Sequence, residues 1–157
     1  MECNYSMFAM LSVGIKFSEE EIATVSQEAL LGLSCLHDNH IFHRTRSETI
    51  AIASDGHIKC TDWDMYGSRP APLGRNYVQR GAFFMSPEIT SSPSAESNIW
   101  SLGITLIEMA DGQVPLGNLH PMRAIFMIPK NPSPTLKNPS AWSTKEIQHE
   151  EGQQLFH

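Results

Sequence analysis

The run SNIWSLGITLIEMA, Ser97 to Ala110, constrains the fold more than any other stretch of this chain. Wound as a helix, it is apolar on nearly every side, and a helix without a polar face is stable in water only when neighbours enclose it. The chain must therefore build a shell around this segment. Gly112 stands where a helix stop is expected. Trp100, Leu102, Ile104 and Met109 are expected in the core. With 157 residues, 41% of them hydrophobic, the chain suffices for one domain that buries roughly two thirds of its unfolded surface.

Candidates for the shell follow from local patterns. Ser18 followed by Glu19, Glu20 and Glu21 is a capping-box pattern. From there Ile22, Val25, Ala29, Leu33 and Leu36 recur at helical spacing, flanked by Leu30, which predicts a helix to about His37, ended by Asp38-Asn39. Ile50 and Ile52, then Ile58 and Cys60, alternate on either side of Ser54-Asp55-Gly56, a hairpin signature. Asp64 to Ser94 reads as a long loop. Pro121 is placed to open a short helix, PMRAIFMI. The proline-rich PKNPSPTLKNPS after it predicts no regular structure, and STKEIQHEEGQQLFH reads as a frayed helix or a polar tail. The fold class is α+β, mainly helical, with no internal repeat.

Charge narrows the partners. The net charge is −6 and the basic residues are scattered, so neither nucleic acid nor an anionic membrane is an expected partner. Cys3, Cys35 and Cys60 are odd in number and far apart, without metal or redox spacing, and read as reduced, partly buried thiols. Met1 to Gly14 has no basic leader or long apolar run, and nothing approaches a membrane span, so the expected location is cytoplasmic.

The segment FHRTRSET, Phe42 to Thr49, is the candidate for chemistry. It reads as a catalytic loop that has lost its acid, as part of a metal cluster, or as an ordinary turn with His43 packed and Arg44 bonded locally. His37, His40 and His43 could suggest a metal cluster, but spacings of three would put the outer pair on one helical face only if the helix ran on past Asp38-Asn39. No carboxylate or cysteine completes a usual coordination set, so no metal ligands are assigned.

The order of parts resembles the C-lobe of a protein kinase: a long helix, a His-Arg loop, a hairpin, a loop closing with MSPE and a buried helix containing IWSLGIT. The wording of Asn98 to Leu136, NIWSLGITLIEMADGQVPLGNLHPMRAIFMIPKNPSPTL, is similar to the sterile-twenty group of serine/threonine kinases, in its mammalian sterile-twenty-like and germinal-centre branches. EEEIATVSQEALLGLSCLH, DGHIKCTDWD and FFMSPE support the same likeness. It implies a partial kinase domain over residues 1–143, without an N-lobe or the last helices, and a polar tail over 144–157. The chain's start resembles the hinge between lobes, and it holds no G-x-G-x-x-G.

Carried over residue by residue, the resemblance locates the departures. His43 and Arg44 match the first two residues of the catalytic triplet, but Thr45 occupies the place of its aspartate and cannot present a fixed charge to an attacking hydroxyl. Arg46 or Ser47 falls near the phosphate-contacting lysine. Thr49 stands where a magnesium-binding asparagine is implied, and its hydroxyl is a poor ligand for a hard cation. Asp62 keeps one magnesium ligand, followed by Trp63 and Asp64 in place of Phe-Gly. Tyr77 falls near the activating threonine, and Gly81 and Ala82 replace a threonine-proline pair. Asn98 replaces an aspartate that accepts hydrogen bonds from the catalytic loop, and the arginine that would pair with Glu88 has no counterpart here.

The resulting expectation is a catalytically inactive, kinase-like protein that needs neither the ATP nor the magnesium of the intact family. Its activity would be binding, as a scaffold or competitor for intact sterile-twenty-type kinases or their partners. Pro121, Met122, Arg123, Ile125 and Phe126 form the partner surface. Two alternatives stand beside it: a partial sequence of an active serine/threonine kinase, and a decayed gene copy or splice product without stable function.

Overall fold

The computed structural model describes residues 5–39, 47–61, 81–88 and 95–143. Within them the chain is partly helical with a small three-stranded sheet. Strand β1 (Tyr5–Ser6) leads directly into helix α1 (Met7–Ser12), followed by the long helix α2 (Glu19–Asp38) and the hairpin β2 (Ile50–Ile52) and β3 (Ile58–Cys60). A 3-10 turn at Ala82–Phe84 precedes the long helix α3 (Ala95–Asp111), and α4 (Pro121–Met127) is the last α-helix among the described residues.

Helix α2 begins where the sequence predicts. Ser18 Oγ accepts from the Glu21 backbone N–H at 3.3 Å, and the Glu21 carboxylate accepts from the Ser18 N–H at 2.7 Å. Those two bonds satisfy orphan donors at both ends of the first turn. The Ser18 backbone N–H first, and the Ser18 hydroxyl second, both donating to the Glu21 carboxylate, hold that carboxyl below its usual range. One stripe of the helix, Ile22, Val25, Ala29 and Leu33, is buried. At the far end Asn39 Nδ2 donates to the Cys35 carbonyl at 2.8 Å.

The hairpin forms with Ile50 opposite Cys60 and Ile52 opposite Ile58. Its turn needs Gly56, whose φ of 86° lies in the left-handed region. Asp55 Oδ1 accepts from the His57 N–H at 3.1 Å, and that bond leads the causes that lower the Asp55 carboxyl. The sequence reading assigned no structure before Ser18. There β1 adds an antiparallel third strand, with Tyr5 opposite Ile52 and Ser6 opposite Ala51.

The apolar run becomes α3 and is enclosed as expected: Leu102, Leu106 and Met109 form one core with Met7, Val25, Ala29, Leu33 and Ile50. Gly112, with φ 72°, ends it. Three expectations need correction. Trp100 is only half-buried, on the wall of a surface cavity. Cys35 is exposed rather than partly buried. The proline-rich stretch holds two short 3-10 turns, Ile128–Lys130 and Pro139–Ala141.

That stretch straps the molecule. Both carboxylate oxygens of Asp111 accept from the Lys137 N–H, at 3.3 and 3.1 Å. Ser143 N–H donates to Glu19 Oε2 at 3.0 Å, its hydroxyl donates to Glu19 Oε1, and Trp142 packs on the core. The C-terminal end of α3 and the first turn of α2 are thereby joined through one irregular segment.

Candidate functional site

The described part of the catalytic-loop region is its exit, the turn Ser47–Thr49 that feeds β2. Two neighbours clamp it through the backbone. Phe8 N–H, in α1, donates to the Ser47 carbonyl at 3.0 Å, and Thr61 N–H, at the end of β3, donates to the Thr49 carbonyl at 2.7 Å. The Thr61 hydroxyl reaches the same Thr49 oxygen at 3.4 Å. Thr49 and Thr61 therefore lie side by side.

Burial decides what these groups can do. Thr49 is 2% exposed and Ser47 fully buried. Among the described residues the Ser47 hydroxyl has no hydrogen-bond partner. Neither side chain presents a donor, acceptor or charge to solvent, so a ligand arriving from outside meets no phosphate contact at Ser47 and no open oxygen at Thr49. His43, Arg44, Thr45, Asp62 and Tyr77 lie outside the described residues, as do His40 and the tail 144–157.

Asn98 opens the buried part of α3 and is 2% exposed. Its amide Nδ2 lies 2.8 Å from His37 Nε2, in the last turn of α2. An amide NH2 can only donate, so with the amide placed this way His37 Nε2 accepts and the ring proton sits on Nδ1. Burial pushes the His37 pKa down, against the opposing pull of Asp38 and Glu96, in keeping with a neutral ring. The sequence reading placed Asn98 at the start of this helix but missed His37 as its partner. Helical spacing had linked His37 to His40 and His43 instead. Among the described residues no group of three potential metal ligands comes together.

Below this node the MSPE turn is tied to α3 by hydroxyls. Ser101 Oγ donates to the Phe84 carbonyl at 2.7 Å, Ser86 Oγ donates to Ser97 Oγ at 3.2 Å, and Ser97 Oγ donates to Glu88 Oε1 at 3.3 Å. Glu88 thus has a serine partner. Ala82 is fully buried beside Gly81 and offers no hydroxyl.

The expected partner surface is α4. His120 caps it, Nδ1 accepting from Met122 N–H at 3.3 Å, and Pro121 takes the first helical position. Ala124 is buried against the body. Met122, Arg123 and Phe126 face solvent, while Pro121 and Ile125 are half-buried. No helix among the described residues is long and apolar enough to cross a membrane.

Comparison with known sequences bears on the family. A model of the protein kinase domain matches residues 1–156. Over 150 residues, 92% of the chain, the sequence is 38% identical to the serine/threonine-protein kinase pakH of Dictyostelium discoideum. The chain spans 29% of the length of that relative.

Proposed function

The chain belongs to the protein kinase family, and from that premise we propose that it is a catalytically inactive, sterile-twenty-like member whose activity is binding. On this reading residues 1–143 are a partial kinase C-lobe that acts in the cytoplasm. The observation that carries this reading is the state of the catalytic loop. Thr45 stands at the position of the catalytic aspartate, and the hydroxyls of Ser47 and Thr49 downstream are sealed from solvent. Phosphoryl transfer depends on positioning and on neutralising charge. A loop with threonine at the position of the catalytic aspartate and no open ligand at Thr49 supplies neither.

Binding is favoured by contrast. The solvent face of α4, with Met122, Arg123 and Phe126, is built on an intact helix with a proline start and a histidine cap. It is the surface on which a partner of intact sterile-twenty-type kinases would compete. A second reading, a segment of an active serine/threonine kinase, draws on the fraction of pakH that the chain spans. It leaves Thr45 unexplained.

A thermal-shift titration with ATP and magnesium separates the two. A ligand at a hundredfold excess over its dissociation constant stabilises the folded state by about 2.7 kcal/mol, which is roughly 5–10 °C for a chain of this size. The expected result is no shift, and no transfer of the terminal phosphate to a generic protein substrate. A nucleotide-dependent shift accompanied by transfer would overturn the proposal.

A further inference from the structure

Charge is shared unevenly along this chain. Residues 112–143 carry Arg123, Lys130 and Lys137 but none of the 17 aspartates and glutamates, in a protein of net charge −6. All three cations are exposed. The same span displays Met122 and Phe126, 46% and 65% exposed, four residues apart on one face of α4. Large apolar side chains in such a cluster mark interaction surfaces.

The span also walls a cavity of about 320 Å³. Pro115, Leu116 and Ile128 of the span line it together with Phe83, Trp100 and Ile104. No ionisable side chain lines it. Leu116 holds a left-handed φ of 60°, a conformation uncommon for leucine that persists only where the surroundings impose it.

We propose that this surface docks an acidic segment of a partner protein that carries a bulky apolar side chain. The apolar side chain enters the uncharged cavity, where a carboxylate would be desolvated without a counter-charge. Carboxylates on either side of it meet Arg123 and Lys130, and the segment covers Met122 and Phe126. A nucleic acid is disfavoured, because the remainder of the chain is acidic and repels an extended run of phosphates. This inference rests on the binding reading above and names the partner's chemistry. Its test contains no nucleotide, so it can fail while the ATP titration stands.

The experiment is a fluorescence-anisotropy titration of the full chain against a fluorescein-labelled peptide, EEDLEFDEE, with EEDSESDEE and KKRLKFRKK as comparisons. Only EEDLEFDEE is expected to bind saturably, with affinity falling several-fold between roughly 50 and 300 mM salt. The surface variants Arg123→Glu and Phe126→Ser should each weaken it about tenfold. Lys16→Glu, outside the span, should leave it within about twofold. Absence of binding, equal binding of EEDSESDEE, or an effect of Lys16→Glu equal to that of Arg123→Glu would each overturn the proposal. Binding seen only after Leu155→Ser and Phe156→Ser would also overturn it, by identifying the chain's own tail as the occupant.

Discussion

Breaking the bond between Asn98 and His37 tests whether the two long helices are joined as described. The donor is 2% exposed and the contact is 2.8 Å. A neutral hydrogen bond of this kind contributes about 0.5–1.5 kcal/mol net. Removing one partner costs more. His37→Ala leaves the buried Asn98 amide short of an acceptor, at about 1–3 kcal/mol. Asn98→Ala should cost at least as much, because Asn98 makes further interactions beyond this pair and its truncation opens a void beside α2. For a chain of this size each kcal/mol corresponds to roughly 2–4 °C in Tm. The assay is urea unfolding of the parent, both single variants and the double variant at about pH 7.5, with a shared m-value. The coupling term should be about 1 kcal/mol, since the double variant no longer contains the unmet donor. A coupling below about 0.3 kcal/mol, within the scatter of independent sites, would refute the bond. Nitrogen chemical shifts of His37 supply a second check, because the geometry requires the proton on Nδ1.

Two further outcomes follow from local geometry. Burial lowers the His37 pKa from its ordinary 6.5, so on acidification the unfolded chain takes up this proton first; the contribution is intact above pH 6.5 and is lost as pH falls from 6.5 through the folded pKa. His37 is half-buried, so screening keeps the loss below about 1 kcal/mol; urea midpoints on either side of 6.5 should show it, and an unchanged slope in His37→Gln would assign it elsewhere. Ser18→Ala removes the hydroxyl that receives the Glu21 N–H and should lower stability by about 1 kcal/mol; a midpoint equal to the parent's would mean that the first turn of α2 is held by Glu19 and the strap instead.

Legibility in the sequence followed contact range. The capping box at Ser18, the turn at Gly56, the stop at Gly112 and the proline start of α4 depend on groups within a few residues of one another, so their pattern is complete in the linear string. The identities of Thr45 and Thr49 were equally legible, as was the family likeness. The sealing of Thr49 was not, because it results from α1 and β3 closing on the turn from both sides. The site reading accordingly rests on residue types for His43, Arg44, Thr45 and Asp62, and on geometry only for Ser47, Thr49 and Asn98.

Since propensity, capping and periodicity act locally, the sequence by itself determined α2, the hairpin, α3 and α4 and which side of each seeks a core, but not α1. Only the tertiary structure decided the pairings across distance: Tyr5–Ser6 on the edge of the hairpin, Asn98 with His37 across 61 residues, and Ser143 with Glu19 across 124. It also turned Trp100 from the core to the wall of a cavity. Such contacts depend on which apolar faces meet first and which polar groups are then left to be satisfied. Spacing along one segment carries no record of either.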